Sequence, residues 1–176
     1  VATGPEAVIR AARQATGTIP MVMAAIDYDP IALGYVAGLA RPGGNITGVF
    51  FQQLELTAKR NQILKGAAPR MTRAAIFWNA FSADELRAAQ AAAQSVDVPR
   101  DPVEFKSVPC DLEAAFASTV RGRPGALAVC KVSVFFRARA RLAELALRYR
   151  LPMISGLLKF VETGGLTAYG AKLTEM

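Results

Sequence analysis

Short apolar runs alternate with longer amphipathic stretches along the whole chain. The clearest apolar run is Ala74–Trp78, which is short and uninterrupted, as expected for a strand that is buried on both faces. This run ends at Asn79. Ser82 and Glu85 then have the spacing of a capping box, which predicts that a helix starts at Ser82. A strand, a polar tip and a helix N-terminus therefore follow one another.

The same succession recurs seven or eight times. Strands are predicted at the start of the chain and at 20–26, 46–51, 72–79, 102–108, 126–130, 151–155 and 166–169. Helices are predicted up to residue 15, at 30–39, 54–65, 82–95 and 158–162, after an Asp111 cap, and through an apolar stripe formed by Ala138, Leu142, Leu145, Ala146 and Tyr149. The strand at 102–108 alternates apolar and polar residues, as a sheet-edge strand does. This alternation predicts an α/β fold, with a parallel sheet that carries helices on both faces.

Right-handed crossovers place the tips of all parallel strands at one edge of a sheet. The predicted tips are Thr3–Gly4, Asp27–Tyr28, Gln52, Asn79–Phe81, Lys131–Val132, Gly156 and Tyr169–Gly170. They are rich in small, amide and aromatic residues, which can hydrogen-bond to a small polar ligand and stack on it. The tips therefore predict a binding site for a small molecule.

Composition fits a folded domain outside the membrane. The 176 residues are 52% hydrophobic and 20% charged, and no apolar run approaches the roughly 18 residues of a membrane span. The formal charge is +7, from 21 basic and 14 acidic residues. These basic residues are spread over predicted helix faces, which favours a solvated surface, with an acidic partner as the alternative.

Residues that perform catalysis are scarce. The chain has no histidine, no nucleophile elbow, no dinucleotide-binding glycine motif and no phosphate-binding loop. Asp27 and Asp29 form a close carboxylate pair, which is interpreted as a turn-and-cap device, with a catalytic role as the alternative. Cys110 and Cys130 are too few for a metal site, so two buried thiols are expected, with a disulfide as the alternative. We predict a protein that is not an enzyme and holds no cofactor or metal.

Five segments, in order, resemble one family. They are I-P-M-V-M at 19–23, L-A-R-P-G-G-N-I-T-G at 39–48, F-W-N at 77–79, R-L-A-E-L-A-L-R-Y-R-L-P-M-I at 141–154 and F-V-E-T-G-G-L-T-A-Y-G at 160–170. The chain is similar to bacterial ABC transporter substrate-binding proteins of the type I periplasmic-binding-protein fold, in the subgroup linked to aromatic amino acids. The resemblance covers nearly the whole chain, and A-R-P-G-G-N-I-T-G is its most specific motif.

The resemblance implies two α/β lobes that close on a ligand. Residues 1–50 would be part of the first lobe, 51–166 the second lobe, and 167–176 the start of the crossover back to the first. Such a chain would be a piece of a longer protein or a shortened relative. The expected function is non-catalytic binding of a small solute, an amino acid or related carboxylate, for delivery to the membrane subunits of an ABC importer in the periplasm. Lipid anchoring of the full-length protein is left open.

Other functions are weighed against this one. The first alternative is a ligand-sensing domain of the same fold in a regulatory or signalling protein. An α/β enzyme with an unrecognised site is the second, and the absence of histidine argues against it. Nucleic-acid binding through the arginine-rich helix at 137–150 is the third, and no nucleic-acid partner is expected.

The resemblance also implies individual site residues. Thr3, Gly4 and Pro5 would meet the polar end of the ligand, and Asp27 its ammonium group. The complete predicted set is Thr3, Gly4, Pro5, Asp27, Tyr28, Asn79, Phe81, Lys131, Phe135, Gly156 and Tyr169.

Two positions depart from the family pattern, and several site residues have a second interpretation. Ala80 stands where the family commonly has proline, and Lys131 stands where it has an acidic or small residue. Lys131 would favour an anionic ligand or point outward. Asn79 could be a turn-and-cap residue, and Phe81 and Phe135 could be core aromatics. Tyr28 and Tyr169 could be amphipathic surface residues.

Overall fold

A computed structural model describes residues 1–4, 6–26, 28–51, 54–106 and 110–170. The chain forms two compact units, Val1–Gln53 and Leu54–Met176. Each unit contains one sheet, and every strand pair within both sheets is parallel. The predicted fold class, α/β with parallel sheets, is confirmed.

In its described residues, the first unit is a three-stranded sheet with one helix. Its elements are β1 (Ala2–Gly4), α1 (Glu6–Ala15), β2 (Met21–Ile26) and β3 (Ile46–Phe51). The strand order is β1-β2-β3. Ile9 of α1 packs against Met23 and Ala25 of β2, so one face of the sheet lies beneath the helix.

The R-P-G-G-N loop immediately precedes β3 and is hydrogen-bonded to the residues at the start of β2. The Asn45 side chain donates to the carbonyl of Ile19 over 2.9 Å, and the Asn45 carbonyl accepts from the N–H of Met21 over 2.7 Å. The most specific motif of the sequence therefore has a structural task here, since it fixes where β2 begins.

The second unit is a five-stranded sheet between two helical layers. Its elements are α2 (Leu56–Ala67), β4 (Ala74–Trp78), α3 (Ala83–Ala93), β5 (Arg100–Glu104), α4 (Leu112–Arg121), β6 (Leu127–Val129), α5 (Ser133–Arg137), α6 (Arg139–Arg148), β7 (Met153–Ser155) and β8 (Thr167–Ala168). The strand order is β5-β4-β6-β7-β8. β5 lies at the edge of the sheet, as its alternating sequence predicted, but it begins and ends earlier than the predicted 102–108, of which 107 and 108 lie outside the described residues.

Alternate residues of β4 enter two different cores. Phe77 packs in one cluster with Phe116 of α4 and Leu142 of α6. Ile76 faces the other way and packs with Leu86 of α3. Both faces of this sheet are thus covered, which explains why Ala74–Trp78 is apolar throughout.

The helix predicted at 30–39 does not form, and the chain makes turns there. The carboxylate of Asp29 accepts from the N–H groups of Ile31 (2.8 Å) and Ala32 (3.2 Å). Gly34 then adopts φ +69°, which stops a right-handed helix from continuing. The helix predicted at 158–162 is also shorter, a single 3₁₀ turn at Leu158–Phe160.

The predicted capping box of Ser82 and Glu85 is wrong. Asn79 is the capping residue instead: its side chain accepts from the N–H of Phe81, and Ser82 Oγ accepts from the N–H of Asn79 over 3.0 Å. A 3₁₀ turn at Ala80–Ser82 precedes α3, and Ser82 makes no side-chain cap bond to α3. Glu85 is thereby left available for a different contact.

The helix after β6 is interrupted at Ala138, which ends α5 and precedes α6. Its predicted inner stripe is confirmed, because Leu142, Leu145 and Ala146 are buried in the core. Within the described part of the chain, no helix has the length and apolar character required to cross a membrane.

Candidate functional site

Four neighbouring strands of the second unit end in residues that the sequence singled out. Phe81 follows β4, Lys131 follows β6, Gly156 follows β7 and Tyr169 follows β8. These strands are adjacent in the order β4-β6-β7-β8, and all are parallel. Their tips therefore form one row along the carboxyl edge of the sheet, which is where open α/β sheets bind ligands.

The tip after β4 presents an aromatic ring to solvent. The side-chain oxygen of Asn79 accepts from the N–H of Phe81 over 3.1 Å, so Asn79 is the turn-and-cap residue that was one of its two interpretations. Phe81 is 89% exposed and is not a core residue. An exposed ring at a fixed tip can stack on a planar ligand group.

Two buried charged residues, Arg60 and Glu85, lie beneath the other tips. The guanidinium of Arg60 and the carboxylate of Glu85 are 3.1 Å apart, and the two residues are only 5% and 8% exposed. Sequence reasoning missed both, because Arg60 gave no motif and Glu85 fitted a helix cap. The useful signal was helical spacing, because Arg60 lies four residues before the buried Leu64 on α2 and Glu85 lies four residues before the buried Ala89 on α3.

This ion pair holds the backbone of two predicted tip residues. Glu85 Oε2 accepts from the N–H of Lys131 over 2.8 Å, and Arg60 Nε donates to the carbonyl of Tyr169 over 2.7 Å. The N–H of Tyr169 donates to the carbonyl of Ser155 over 3.0 Å. Lys131 is half-buried and Tyr169 is 38% exposed, so both tips reach the surface from a fixed backbone.

Gly156 lies close to the side chains of Arg60 and Lys131. A Cβ atom at this position would be 2.8 Å from Nη2 of Arg60 and 2.7 Å from Cδ of Lys131. A side chain at this position would therefore push the ends of Arg60 and Lys131 away from their present places.

In the first unit, the described tip residues are Thr3, Gly4 and Tyr28. Thr3 is exposed in β1, which ends at Gly4. The ring of Tyr28 is half-buried and meets Tyr35 edge-on with ring centres 6.5 Å apart. Burial and the nearby charge of Glu6 raise the pKa of Tyr28. Pro5 and Asp27 lie outside the described residues, as does Gln52.

Phe135 differs from the other predicted site residues. It is 0% exposed and packs edge-to-face against Phe105, with ring centres 5.0 Å apart. The structure places this ring in the main core of the second unit, which was the alternative interpretation of the sequence.

The two cysteines do not form a disulfide with each other. Cys130 is buried at the end of β6, and burial together with the charge of Glu85 raises the pKa of its thiol. Cys110 is half-buried, and burial raises its pKa as well. Among the described residues, no group of histidine, cysteine or carboxylate side chains is placed to hold a metal ion.

The arginine-rich helix α6 carries its own counter-charges. Arg141 and Arg148 both pair with Glu113 of α4 and with Glu144. These half-exposed pairs offset part of the positive charge that suggested nucleic-acid binding.

Comparison with known proteins identifies a family. The family model for ABC transporter substrate binding protein matches residues 1–176. Among curated proteins, none matches this chain.

Several solved structures share the fold. One is an ABC domain in complex with L-Trp from Streptococcus pneumonia, at 21% identity and a TM-score of 0.70, covering 90% of this chain and 53% of that one. A conserved domain protein from Vibrio cholerae has 19% identity and a TM-score of 0.69, covering 94% and 55%. An amino acid ABC transporter substrate-binding protein from Pseudomonas fluorescens has 12% identity and a TM-score of 0.60, covering 90% and 42%. The chain thus spans about half the length of the structures it matches.

Proposed function

This chain belongs to the ABC transporter substrate-binding protein family, and on that premise we propose that it binds a small solute at the carboxyl edges of its sheets. The family match over residues 1–176 is the observation that carries the proposal. The row of tips formed by Phe81, Lys131, Gly156 and Tyr169 supports it, because it combines aromatic rings with a cation.

The proposed solute is an amino acid or a related carboxylate, with an aromatic side chain favoured. Phe81 supports an aromatic group, since its ring is 89% exposed at a tip whose backbone is fixed by Asn79. Lys131 supports a carboxylate, because an ammonium group is a strong partner for an anion. Two similar structures point the same way by their descriptions, one in complex with L-Trp and one an amino acid transporter component.

The proposed role is transport without catalysis. The solute would be held for the membrane subunits of an ABC importer, and the protein would act outside the cytoplasmic membrane, in the periplasm. A bound solute would favour one conformation over another, and the importer would recognise that conformation.

Binding can be followed through the protein itself. Trp78 is the only tryptophan in the sequence and ends β4, one residue before Asn79. L-Phenylalanine, L-tyrosine, L-leucine and phenylpyruvate would be titrated against Trp78 fluorescence, and L-tryptophan by calorimetry. We expect saturable binding of at least one aromatic compound and weaker binding of L-leucine.

Two variants test the assigned roles. Phe81→Ala should weaken aromatic ligands by about three- to tenfold, through lost stacking. Lys131→Met should weaken carboxylates by about tenfold while sparing the matching amides. Leu147→Ala is the control, because Leu147 is 66% exposed near the C-terminal end of α6, away from the carboxyl edge. Absence of saturable binding by the unmodified chain across the panel would count against the proposal.

A further inference from the structure

The buried pair of Arg60 and Glu85 is unusual in its position. Both side chains leave water almost completely, at 6% and 10% exposure, and they meet at 3.1 Å. Desolvation of two charges offsets most of their attraction, so such a pair adds little stability compared with apolar residues. The hydrogen bonds from these two side chains to the strand tips indicate a role other than stability.

Arg60 is held by hydrogen bonds to two helices and to a strand tip. Its Nη1 donates to Thr57 Oγ1 over 3.2 Å and to Glu85 Oε1, while Nε donates to the carbonyl of Tyr169 over 2.7 Å. Thr57 lies one helical turn earlier on α2, and Tyr169 follows the last strand of the sheet. The guanidinium is thereby fixed in orientation, and it fixes a tip backbone 109 residues further along the chain.

Glu85 divides its two oxygens between the ion pair and another tip. Oε1 accepts from Arg60, and Oε2 accepts from the backbone N–H of Lys131 over 2.8 Å. A carboxylate that accepts an amide N–H makes a stronger bond than a neutral acceptor does. The carboxylate of Glu85 on α3 thus fixes the direction of the Lys131 N–H.

The third tip, Gly156, lies close to Arg60 and Lys131. A Cβ atom on Gly156 would be 2.8 Å from Nη2 of Arg60 and 2.7 Å from Cδ of Lys131. The tips after β6, β7 and β8 therefore meet one buried ion pair, although 38 residues separate Lys131 from Tyr169 in the sequence.

We propose that Arg60 and Glu85 are positioning residues that set the binding geometry of the tips at Lys131, Gly156 and Tyr169. They act through the backbone of these tips and not by touching the solute. The inference rests on the proposed solute-binding function, which it deepens by naming what holds the site in a binding-ready form. Tips that are fixed before binding lose less conformational entropy when the solute arrives.

A second buried polar cluster in the same unit provides a matched control. Asn61, the neighbour of Arg60 on α2, donates to the carbonyl of Ala89 over 3.1 Å and accepts from Arg100 over 2.8 Å. Arg100 begins β5, so this cluster lies toward the amino edge of the sheet, and its hydrogen bonds among the described residues go to Ala89 and Val98 and not to the three tips. A change at Asn61 should loosen the unit without moving the binding edge.

The experiment compares Glu85→Gln with Asn61→Ala in the complete 176-residue chain. Glu85→Gln keeps the shape of the side chain and removes its charge. Amide hydrogen exchange at Lys131 and Tyr169 would be measured by NMR, together with the Kd for L-phenylalanine. Thr57→Val is a milder second variant, which removes one bond to Arg60 and should act in the same direction if Glu85→Gln does not fold.

We expect Glu85→Gln to speed exchange at Lys131 by about tenfold and to weaken L-phenylalanine binding by a similar factor. Asn61→Ala should leave both values unchanged even though it lowers the melting temperature. Unchanged exchange at Lys131 in Glu85→Gln, or an equal increase in Asn61→Ala, would overturn the proposal. Failure of the unmodified chain to bind any aromatic amino acid would count against the proposed function instead, because the exchange measurement needs no ligand.

Discussion

The carbonyl oxygen of Met23 occupies the space that a Cβ atom on Gly48 would need. The two residues are partners in the pairing of β2 with β3. Gly48 has φ +152°, a backbone angle that residues other than glycine rarely adopt. The last glycine of the A-R-P-G-G-N-I-T-G motif is thus required for β3 to lie beside β2.

Gly48→Ala should lower the free energy of unfolding by more than about 1 kcal/mol, because the new methyl group meets backbone that cannot move aside. Gly44→Ala is the control in the same motif, since no atom lies within 4 Å of a Cβ at that position. Urea unfolding followed by circular dichroism measures both. Equal stability of the two variants would contradict this account of the motif.

Arg60→Met should destabilise the chain by about 3–5 kcal/mol, because it leaves the carboxylate of Glu85 buried without its guanidinium partner. The double variant Arg60→Met/Glu85→Leu should recover most of this loss, since both charges are then gone. Urea unfolding of the two variants measures the difference in their free energies of unfolding. A double variant no more stable than the single one would show that the pair itself supplies the stability.

Asp111→Ala should cost about 1 kcal/mol, because Asp111 caps α4 by accepting from the N–H of Ala114 over 2.9 Å. Glu55→Ala is the matched control: Glu55 occupies the N-cap position of α2 but makes no side-chain cap bond. Thermal unfolding measures the difference. A loss at Glu55 as large as that at Asp111 would argue against a capping effect.

Cys130 should resist alkylation by iodoacetamide in the folded chain at pH 8 and react fully in urea. Burial and the charge of Glu85 raise the pKa of this thiol above its ordinary value of 9.0, so little reactive thiolate forms. Mass spectrometry after timed alkylation measures the modified fraction. Rapid labelling of Cys130 in the folded protein would contradict its buried environment.

The same pKa shift has a consequence for stability. Because the unfolded thiol releases its proton at lower pH than the folded one, the unfolded state gains relative stability as pH rises past about 9. Cys130→Ala should reduce the fall in the free energy of unfolding between pH 8 and pH 9.5. Urea unfolding at both pH values measures this, and an identical slope in the variant would contradict it.

Sequence patterns predicted well where one local rule governed the structure. The apolar run at β4, the stripe of Leu142 and Leu145 on α6, and the Asp111 cap each depend on neighbours within a few residues. The helix predicted at 30–39 failed because Gly34 adopts φ +69° after the first turn that Asp29 caps, and apolar spacing does not reveal this change of backbone angle.

The sequence by itself determined the fold class, the family and the residues at the strand tips, because alternating apolar runs, turn residues and motifs are written locally along the chain. Only the tertiary structure decided which tips become neighbours and what holds them. Strand order brought Lys131, Gly156 and Tyr169 together. The packing of α2 against α3 makes Glu85, which the sequence suggested as a capping residue, the buried partner of Arg60. The two residues are 25 positions apart, so no local pattern specifies their contact.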